Sequence, residues 1–379
     1  MLLLFFASLS AAAQLPDALE FRQLQARHRR GLSQIRALLD DSYVTSNDEN
    51  FCMQYPPNVL RWLLSPPGAC NALQVGLAER DRPGLVAFIC ALPVSLVVKG
   101  TKQQAVEVTL LCVHRKWRKC GLAALLISEL RKRAMAQGIS FAIYTSARPH
   151  GRPLLSAQCY HRPLKPRHLI RSGFWQLPVG LSIRSVDAAA LPLPRVDRRL
   201  VRRMCRADVE SCHRMFCARA QQYQLAASLT LAEFRHRFCD APRCYTYVFG
   251  PRANAPAAFI SFMLLPITSD SCHVRHITQA VLLGFAIETG QSVQPADVLA
   301  AALHCASERG AHVFNALALA EYTPKVLSSL GFGAGDGLTH IYIVQRAWDG
   351  TAPLQIDRLA RDDGEDSFMP QDVSWLPLT

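Results

Sequence analysis

Apolar and polar positions are arranged most informatively between residues 106 and 133. Residues 106–113 are β-branched and apolar, interrupted by Glu107 and Thr109, and predict a mostly buried strand. Leu122, Leu125, Leu126 and Leu130 then recur at helical spacing, with Ser128, Arg131 and Lys132 elsewhere on the wheel. Between strand and helix lies a cationic turn of His114, Arg115, Lys116, Arg118 and Lys119, closed by Gly121. Such a succession makes an anion site. The orphan N–H groups of the first helical turn face the loop, and the helix dipole adds positive potential. Gly121 lets the backbone come close to a ligand, and the best ligand for such a cradle is a pyrophosphate.

The same reading extends along the chain. Residues 20–39 show a helical pattern with arginine-rich faces, followed by a polar loop at 43–51. Residues 56–64 read as a helix stopped by Ser65-Pro66-Pro67-Gly68. Residues 73–78 and 85–93 form a strand pair joined by Asp81-Arg82-Pro83-Gly84, and 94–98 leads into the central strand. A further strand is expected at 141–145, and a proline-rich linker at 191–195 marks the domain boundary. The second half repeats the style of the first. Helices are expected at 207–223, 231–238, 295–308 and 323–330. Strands are expected at 245–249, 257–265, 279–287, 313–319 and 341–344, with a glycine-rich turn at 331–337. Mixed strands and helices in two similar halves predict an α+β fold with a duplicated core.

Composition narrows the function. The chain has 379 residues, 50% of them hydrophobic and 19% charged, so it is globular, with room for two domains. A net charge of +13 suits an anionic partner such as coenzyme A, a ribosome or an acidic membrane surface. No basic run carries interleaved aromatics, so direct nucleic-acid binding is not expected. The 13 cysteines are scattered without a framework and read as reduced thiols. Cys205, Cys212, His213 and Cys217, or His236, Cys239 and Cys244, lack a standard zinc spacing, so no metal is expected. Residues 1–13 are apolar but too short to span a bilayer, and they lack the basic start of a signal peptide. The expected compartment is the cytoplasm, with secretion as the alternative.

The turn Arg118-Lys119-Cys120-Gly121-Leu122-Ala123 fits R-x-x-G-x-A and resembles the coenzyme A loop of GNAT-type acyltransferases. Three separated stretches resemble a narrower family, the glycylpeptide N-tetradecanoyltransferases or N-myristoyltransferases. EVTLLCVHR is similar to that family's E-I/V-N-F-L-C-x-H-K, GFGAGDG to its K-F-G-x-G-D-G, and YHRPLKPRHLI to its W-H-R-S-L-N-P-R-K-L-I. Weaker echoes keep the family's order from about residue 15 to about residue 348. The resemblance implies two GNAT-like halves related by a pseudo-twofold. Residues 15–190 would hold the acyl-CoA, 195–348 most of the peptide groove, and 349–379 would be a tail.

The implied activity is transfer of a myristoyl group from myristoyl-CoA, a co-substrate rather than a prosthetic group, to the amine of an N-terminal glycine on peptides and nascent proteins. An amine attacks a thioester directly, so the protein must take a proton, orient the amine and stabilise the oxyanion. The resemblance puts the oxyanion hole at the backbone N–H groups of Leu110 and Leu111. Cys112 and Val113 complete that acyl-CoA strand, and Arg118, Lys119, Cys120, Gly121, Leu122 and Ala123 form the phosphate loop. Cys112 itself reads as a core residue. Asp48, Phe51, Tyr55, Thr145, His161, Asp336 and Gly337 match peptide-side positions. The family's base is its own terminal carboxylate, which implies Thr379, with Asp336 as the fallback.

The chain also departs from the pattern. Thr109 replaces the signature asparagine, and the acidic loop is thinned to Thr45-Ser46-Asn47-Asp48-Glu49-Asn50, which weakens attraction for basic peptides. Met263 and Ile267 replace polar groove positions, Ala318 replaces an aspartate, and an upstream acyl-CoA segment is missing. Two alternatives therefore stand beside the main reading: a GNAT acyltransferase using a shorter acyl-CoA, and a non-catalytic homologue that binds acyl-CoA or peptides.

Overall fold

The computed structural model describes residues 15–43, 51–250, 255–269 and 276–345, together with Met369 and Val373. The first half contains β1 (Leu19–Gln23), α1 (Arg29–Ser42), β2 (Phe51–Met53), α2 (Pro57–Leu63), β3 (Gln74–Glu79), β4 (Ala87–Val98), β5 (Thr101–Val113), α3 (Leu122–Ala136), β6 (Phe141–Ser146) and β7 (Leu155–Pro163). Two short helices, α4 (Pro166–Arg171) and α5 (Val186–Ala189), lead to the second half. That half contains β8 (Val201–Arg203), α6 (Val209–Ala220), β9 (Leu225–Ala227), α7 (Leu231–Phe238), β10 (Cys244–Phe249), β11 (Ala258–Ser269), β12 (His276–Ile287), α8 (Pro295–Glu308), β13 (Val313–Leu317), α9 (Pro324–Ser329) and β14 (Gly333–Gln345).

Apart from α9, which has no counterpart between β6 and β7, the two halves run through the same order of elements, and their strands form one sheet. The order is β1-β3-β4-β5-β6-β14-β7-β13-β12-β11-β10-β8. Read from either end, this sequence of strands is the same, except that each half lends its last strand to the other. β7 lies beside β13, and β14 lies beside β6. A smaller exchange repeats the symmetry, since β2 pairs with the end of β11 and β9 with the end of β4. The α+β fold with two similar halves forms as expected.

The central elements follow from their side chains. α3 buries Leu122, Ala123, Leu126, Ile127 and Leu130 against Val106 and Val108 of β5 and Leu77 of β3. On the opposite face, α1, α2, α6 and α7 share one apolar cluster with Phe88, Leu110, Cys112, Phe259 and Met263, which joins the halves. Burying such side chains is worth about 1.5–3 kcal/mol each.

Two expectations are corrected. The helical pattern over 20–39 conceals a strand: β1 pairs with β3 from Leu19↔Glu79 to Gln23↔Val75, and α1 starts only at Arg29. Five residues of alternation were absorbed into a longer helical periodicity. The glycine-rich 331–337 is mostly strand rather than turn. β14 starts at Gly333 and carries a bulge between Ala334 and Leu338.

A buried ion pair ties β8 to α6. Arg202 donates to both carboxylate oxygens of Asp208 at 2.6 and 2.7 Å, and the Cys205 N–H donates to the same carboxylate at 2.9 Å. Burial pushes the Asp208 carboxyl up, but the hydrogen bonds from Arg202 and Cys205 outweigh it and hold the acid below its usual range. A depressed carboxyl stabilises the fold above its unfolded pKa of about 4 and loses that contribution as pH falls. Asp208→Ala leaves Arg202 without its partner, and a loss of about 3 kcal/mol is expected in urea unfolding at neutral pH. The difference between variant and parent should shrink below about pH 4.

Candidate active site

The ladder between β4 and β5 breaks where the first signature falls. Cys90 lies opposite Thr109, but Phe88 lies opposite Cys112, so Leu110 and Leu111 are bulged against Ile89. Leu110 takes a left-handed φ of 53°, a strained conformation for a residue with a side chain. On the other side, β5 and β6 pair in parallel only from Ala105↔Phe141 to Glu107↔Ile143. β5 continues to Val113 and β6 to Ser146, so the two strands part beyond Glu107. Thr145 lies two residues past that point on β6, level with Thr109 and next to the bulge. The bulge thus sits on one wall of an opening in the sheet, where the regular ladder is broken.

At the far end of β5 lies the cationic turn. Lys119 and Gly121 both have left-handed φ values, 67° and 77°. Gly121 is the N-cap of α3, with no capping side chain and no acidic residue in the first turn. A Cβ at Gly121 would meet nothing within 4 Å, so the cradle is open. Arg118 is committed elsewhere: it donates to the Ser42 carbonyl at the end of α1 at 2.8 Å. Arg115 N–H donates to the Ser42 hydroxyl at 3.2 Å, and His114 Nε2 lies 3.5 Å from Asp41. Arg118 therefore buttresses the loop on α1, whereas Lys119, Cys120 and Gly121 face solvent. The matching site in the other half is closed. There Gln294 and Asp297 form a capping box at the start of α8, with Pro295 inside it. Of the two matching helix starts, only that of α3 has no acidic residue in its first turn.

Cys112 is buried, and its Sγ lies 3.9 Å from the Leu38 carbonyl. Burial pushes its thiol up to about 12, with Arg118 working against the shift. It stays protonated at neutral pH and is unsuited to be a nucleophile.

A second cluster gathers on β7, β13 and β14. Residues 335–337 bulge from β14, and Gln158 of β7 donates to the Gly335 carbonyl at 2.6 Å and the Gly337 carbonyl at 3.1 Å. A Cβ on Gly335 would lie 2.3 Å from His161 Nε2, so this close approach requires glycine. Asn315 donates to Gln279 at 2.7 Å, and its oxygen lies 2.8 Å from His161 Nδ1. With the amide so oriented, Nδ1 is the donor and Nε2 is left as an acceptor towards Gly335. Phe174 packs edge-on against both His161 and Phe51, with ring centroids 6.2 and 5.6 Å apart.

The structure thus brings His161, Phe51, Asp336 and Gly337 into one neighbourhood, and Leu110, Leu111 and Thr145 into another. β6 and β14 link them: Thr145 pairs with Ile341, and Asp336 and Gly337 lie farther along β14, beyond the C-terminal end of β6. Tyr55 is not on a groove surface. It is 5% exposed, inside the cluster shared by the two halves, beside Tyr43. Met263 and Ile267 are likewise core residues. Asp48 and Thr379 lie outside the described residues. The sequence reading missed Gln158, Gln279 and Asn315, because polar residues on three separate strands carry no local signal, and Phe174, an aromatic on the loop after α4.

Val373 is fully buried. It bridges Leu225 in parallel and packs with Leu96, Phe141, Ile143 and Ile341. Val373 therefore lies in the apolar layer at the paired base of β5 and β6. Among the described residues no helix is long and apolar enough to cross a membrane.

Comparison with known proteins gives a consistent picture. The family model for the myristoyl-CoA:protein N-myristoyltransferase N-terminal domain matches residues 8–157, and that for the C-terminal domain matches residues 173–349. Glycylpeptide N-tetradecanoyltransferase 2 of Danio rerio is 29% identical over 331 residues, covering 87% of this chain and 66% of its own. This chain thus spans just under two thirds of that relative. The glycylpeptide N-tetradecanoyltransferase of Emericella nidulans is 31% identical, covering 89% of this chain and 72% of its own. A crystal structure of Saccharomyces cerevisiae N-myristoyltransferase with bound myristoyl-CoA superposes with a TM-score of 0.80 at 26% identity, over 87% of this chain and 83% of that one. A GCN5-related N-acetyltransferase from Anabaena variabilis shares the fold at 10% identity and a TM-score of 0.50, over 86% and 72% of the two chains.

Proposed function

We propose that this chain, which belongs to the myristoyl-CoA:protein N-myristoyltransferase family, transfers a myristoyl group from myristoyl-CoA to the N-terminal glycine amine of protein substrates. The observation that carries the reading is the pairing of a bulge at Leu110 and Leu111 with an open cationic helix start at Gly121, along one edge of a parted strand pair.

The pyrophosphate would lie on the α3 N-terminus and Lys119, and the thioester carbonyl against the Leu110 and Leu111 N–H groups. The glycine amine attacks that carbonyl, so an amide C–N bond forms, the C–S bond breaks and coenzyme A leaves as the thiol. The one proton that leaves the amine passes through the base to the departing sulfur. The Thr379 carboxylate is our candidate base, and Asp336 is the fallback. Thr145, with Asp336 and Gly337, would border the amine, while His161 and Phe51 would line the peptide path. Myristoyl-CoA is consumed and no prosthetic group takes part. The described cysteines are free thiols, which suits a reducing compartment, and the proposed location is the cytoplasm.

The test is acylation of paired peptides, followed by mass spectrometry. With myristoyl-CoA, a glycine-initiated peptide should gain one acyl group, and its alanine-initiated twin should react at least about 100-fold more slowly, because a methyl must enter a pocket bordered by backbone. Equal rates, or equal use of acetyl-CoA, would favour a broader acyltransferase.

A further inference from the structure

Trp175, Leu177, Val179 and Ile183 are exposed on one loop between α4 and α5, and Val179 touches almost nothing. Among the described residues, six of the eight large hydrophobic side chains left in solvent fall between Trp175 and Leu200. The loop is nevertheless held at its base. Phe174 and Trp175 donate their N–H groups to the Leu169 carbonyl at 3.0 and 3.2 Å. Val186 is buried, and Arg167 pairs with Asp187 at 3.1 Å. Near the tip, Leu181 N–H bonds the Pro178 carbonyl, and the Ser182 and Ser185 hydroxyls bond each other at 2.9 Å. An ordered loop with an apolar tip in water is costly unless another phase receives it.

The charges around the tip indicate which phase. Residues 165–199 hold seven lysines and arginines against two aspartates. One aspartate is the partner of Arg167, whereas Lys165, Arg171 and Arg184 are exposed and have no carboxylate partner among the described residues. We propose that this loop docks the chain on an anionic lipid surface, its apolar tip entering the headgroup boundary and Lys165, Arg171 and Arg184 resting on lipid phosphates. An apolar tip on a loop flanked in the chain by exposed cations matches that boundary, where both kinds of side chain are satisfied together. The benefit rests on the proposed function. The loop base packs on the peptide-side cluster through Phe174, so an acylated product would emerge beside the layer that takes its chain. The docking itself does not depend on turnover and is measured without acyl-CoA or peptide.

The experiment is co-sedimentation of the full chain with vesicles. Binding is expected to phosphatidylcholine vesicles containing about 30% phosphatidylserine and not to phosphatidylcholine alone, and it should weaken as salt screens the cations. The triple variant Trp175→Ser, Leu177→Ser, Val179→Ser should lose at least about tenfold in partitioning, with acyl-CoA affinity unchanged as the check on folding. No binding by the parent chain, or equal binding by parent and variant, overturns the proposal. So does a parent dimer that the variant converts to monomer, which would assign the tip to a second copy of the chain.

Discussion

Gly121→Glu is expected to abolish acyl-CoA binding while leaving the fold intact. At this position sterics and electrostatics separate cleanly. The φ of 77° disfavours any side chain, at about 1–2 kcal/mol, yet an added Cβ meets no atom within 4 Å. The variant should therefore fold with a modest loss of stability. Its carboxylate, however, would stand at the start of α3, where no side chain caps the N–H groups. An acid there stabilises a helix, and it does so by occupying the groups that a pyrophosphate would use. Calorimetry with myristoyl-CoA should show a loss of at least about 100-fold, equivalent to about 2.7 kcal/mol. Gly121→Ala, which adds neither charge nor a capping oxygen, should retain most of the affinity at a modest cost in stability. Unchanged affinity in the glutamate variant would remove this turn from the site.

Legibility in the sequence followed the range over which each feature is determined. β5 and α3 could be read because period-two and period-3.6 patterns are local properties of residues 106–113 and of Leu122, Leu126 and Leu130. β2 and β9 could not, since each is three residues long and exists because the other half offers it an edge, Ile267 for Met53 and Leu96 for Ala227. The exchange of β7 and β14 is equally silent. β7 drew no strand expectation, and strand character is visible around Ile343 of β14, but nothing nearby states which neighbour will be chosen.

The site divides in the same way. The cationic turn is contiguous and was visible from the letters. The bulge was not visible, because Leu110 and Leu111 look like two more strand residues until β4 imposes a mismatched register. Resemblance to the family located them, and physical pattern alone would have passed over them. Resemblance also ranked Arg118 with the phosphate contacts and Tyr55 with the groove. Their side chains instead reach Ser42 and the inter-half core, because the sequence position of a motif residue does not fix the direction of its side chain.

Deleting Leu378 and Thr379 is expected to cut turnover by about 10²–10⁴-fold and to leave acyl-CoA affinity nearly intact. The reasoning starts from Val373. A polar stretch from Thr351 to Asp366 separates β14 from this residue, yet Val373 is wholly buried and bridges Leu225. Its neighbours Phe141 and Ile143 are the β6 residues at the closed base of the opening that Leu110 and Leu111 border. Six further residues separate Val373 from Thr379, a span of at most about 20 Å when extended. A main-chain carboxylate needs no particular residue to carry it, only a position within hydrogen-bond reach of the proton it takes. Substituting Thr379 by Ala should therefore have little effect, and that contrast separates a terminal carboxylate from a side-chain role. Full activity in the truncated chain would exclude the terminus as base, and Asp336, exposed on the β14 bulge, would be the carboxylate to remove next.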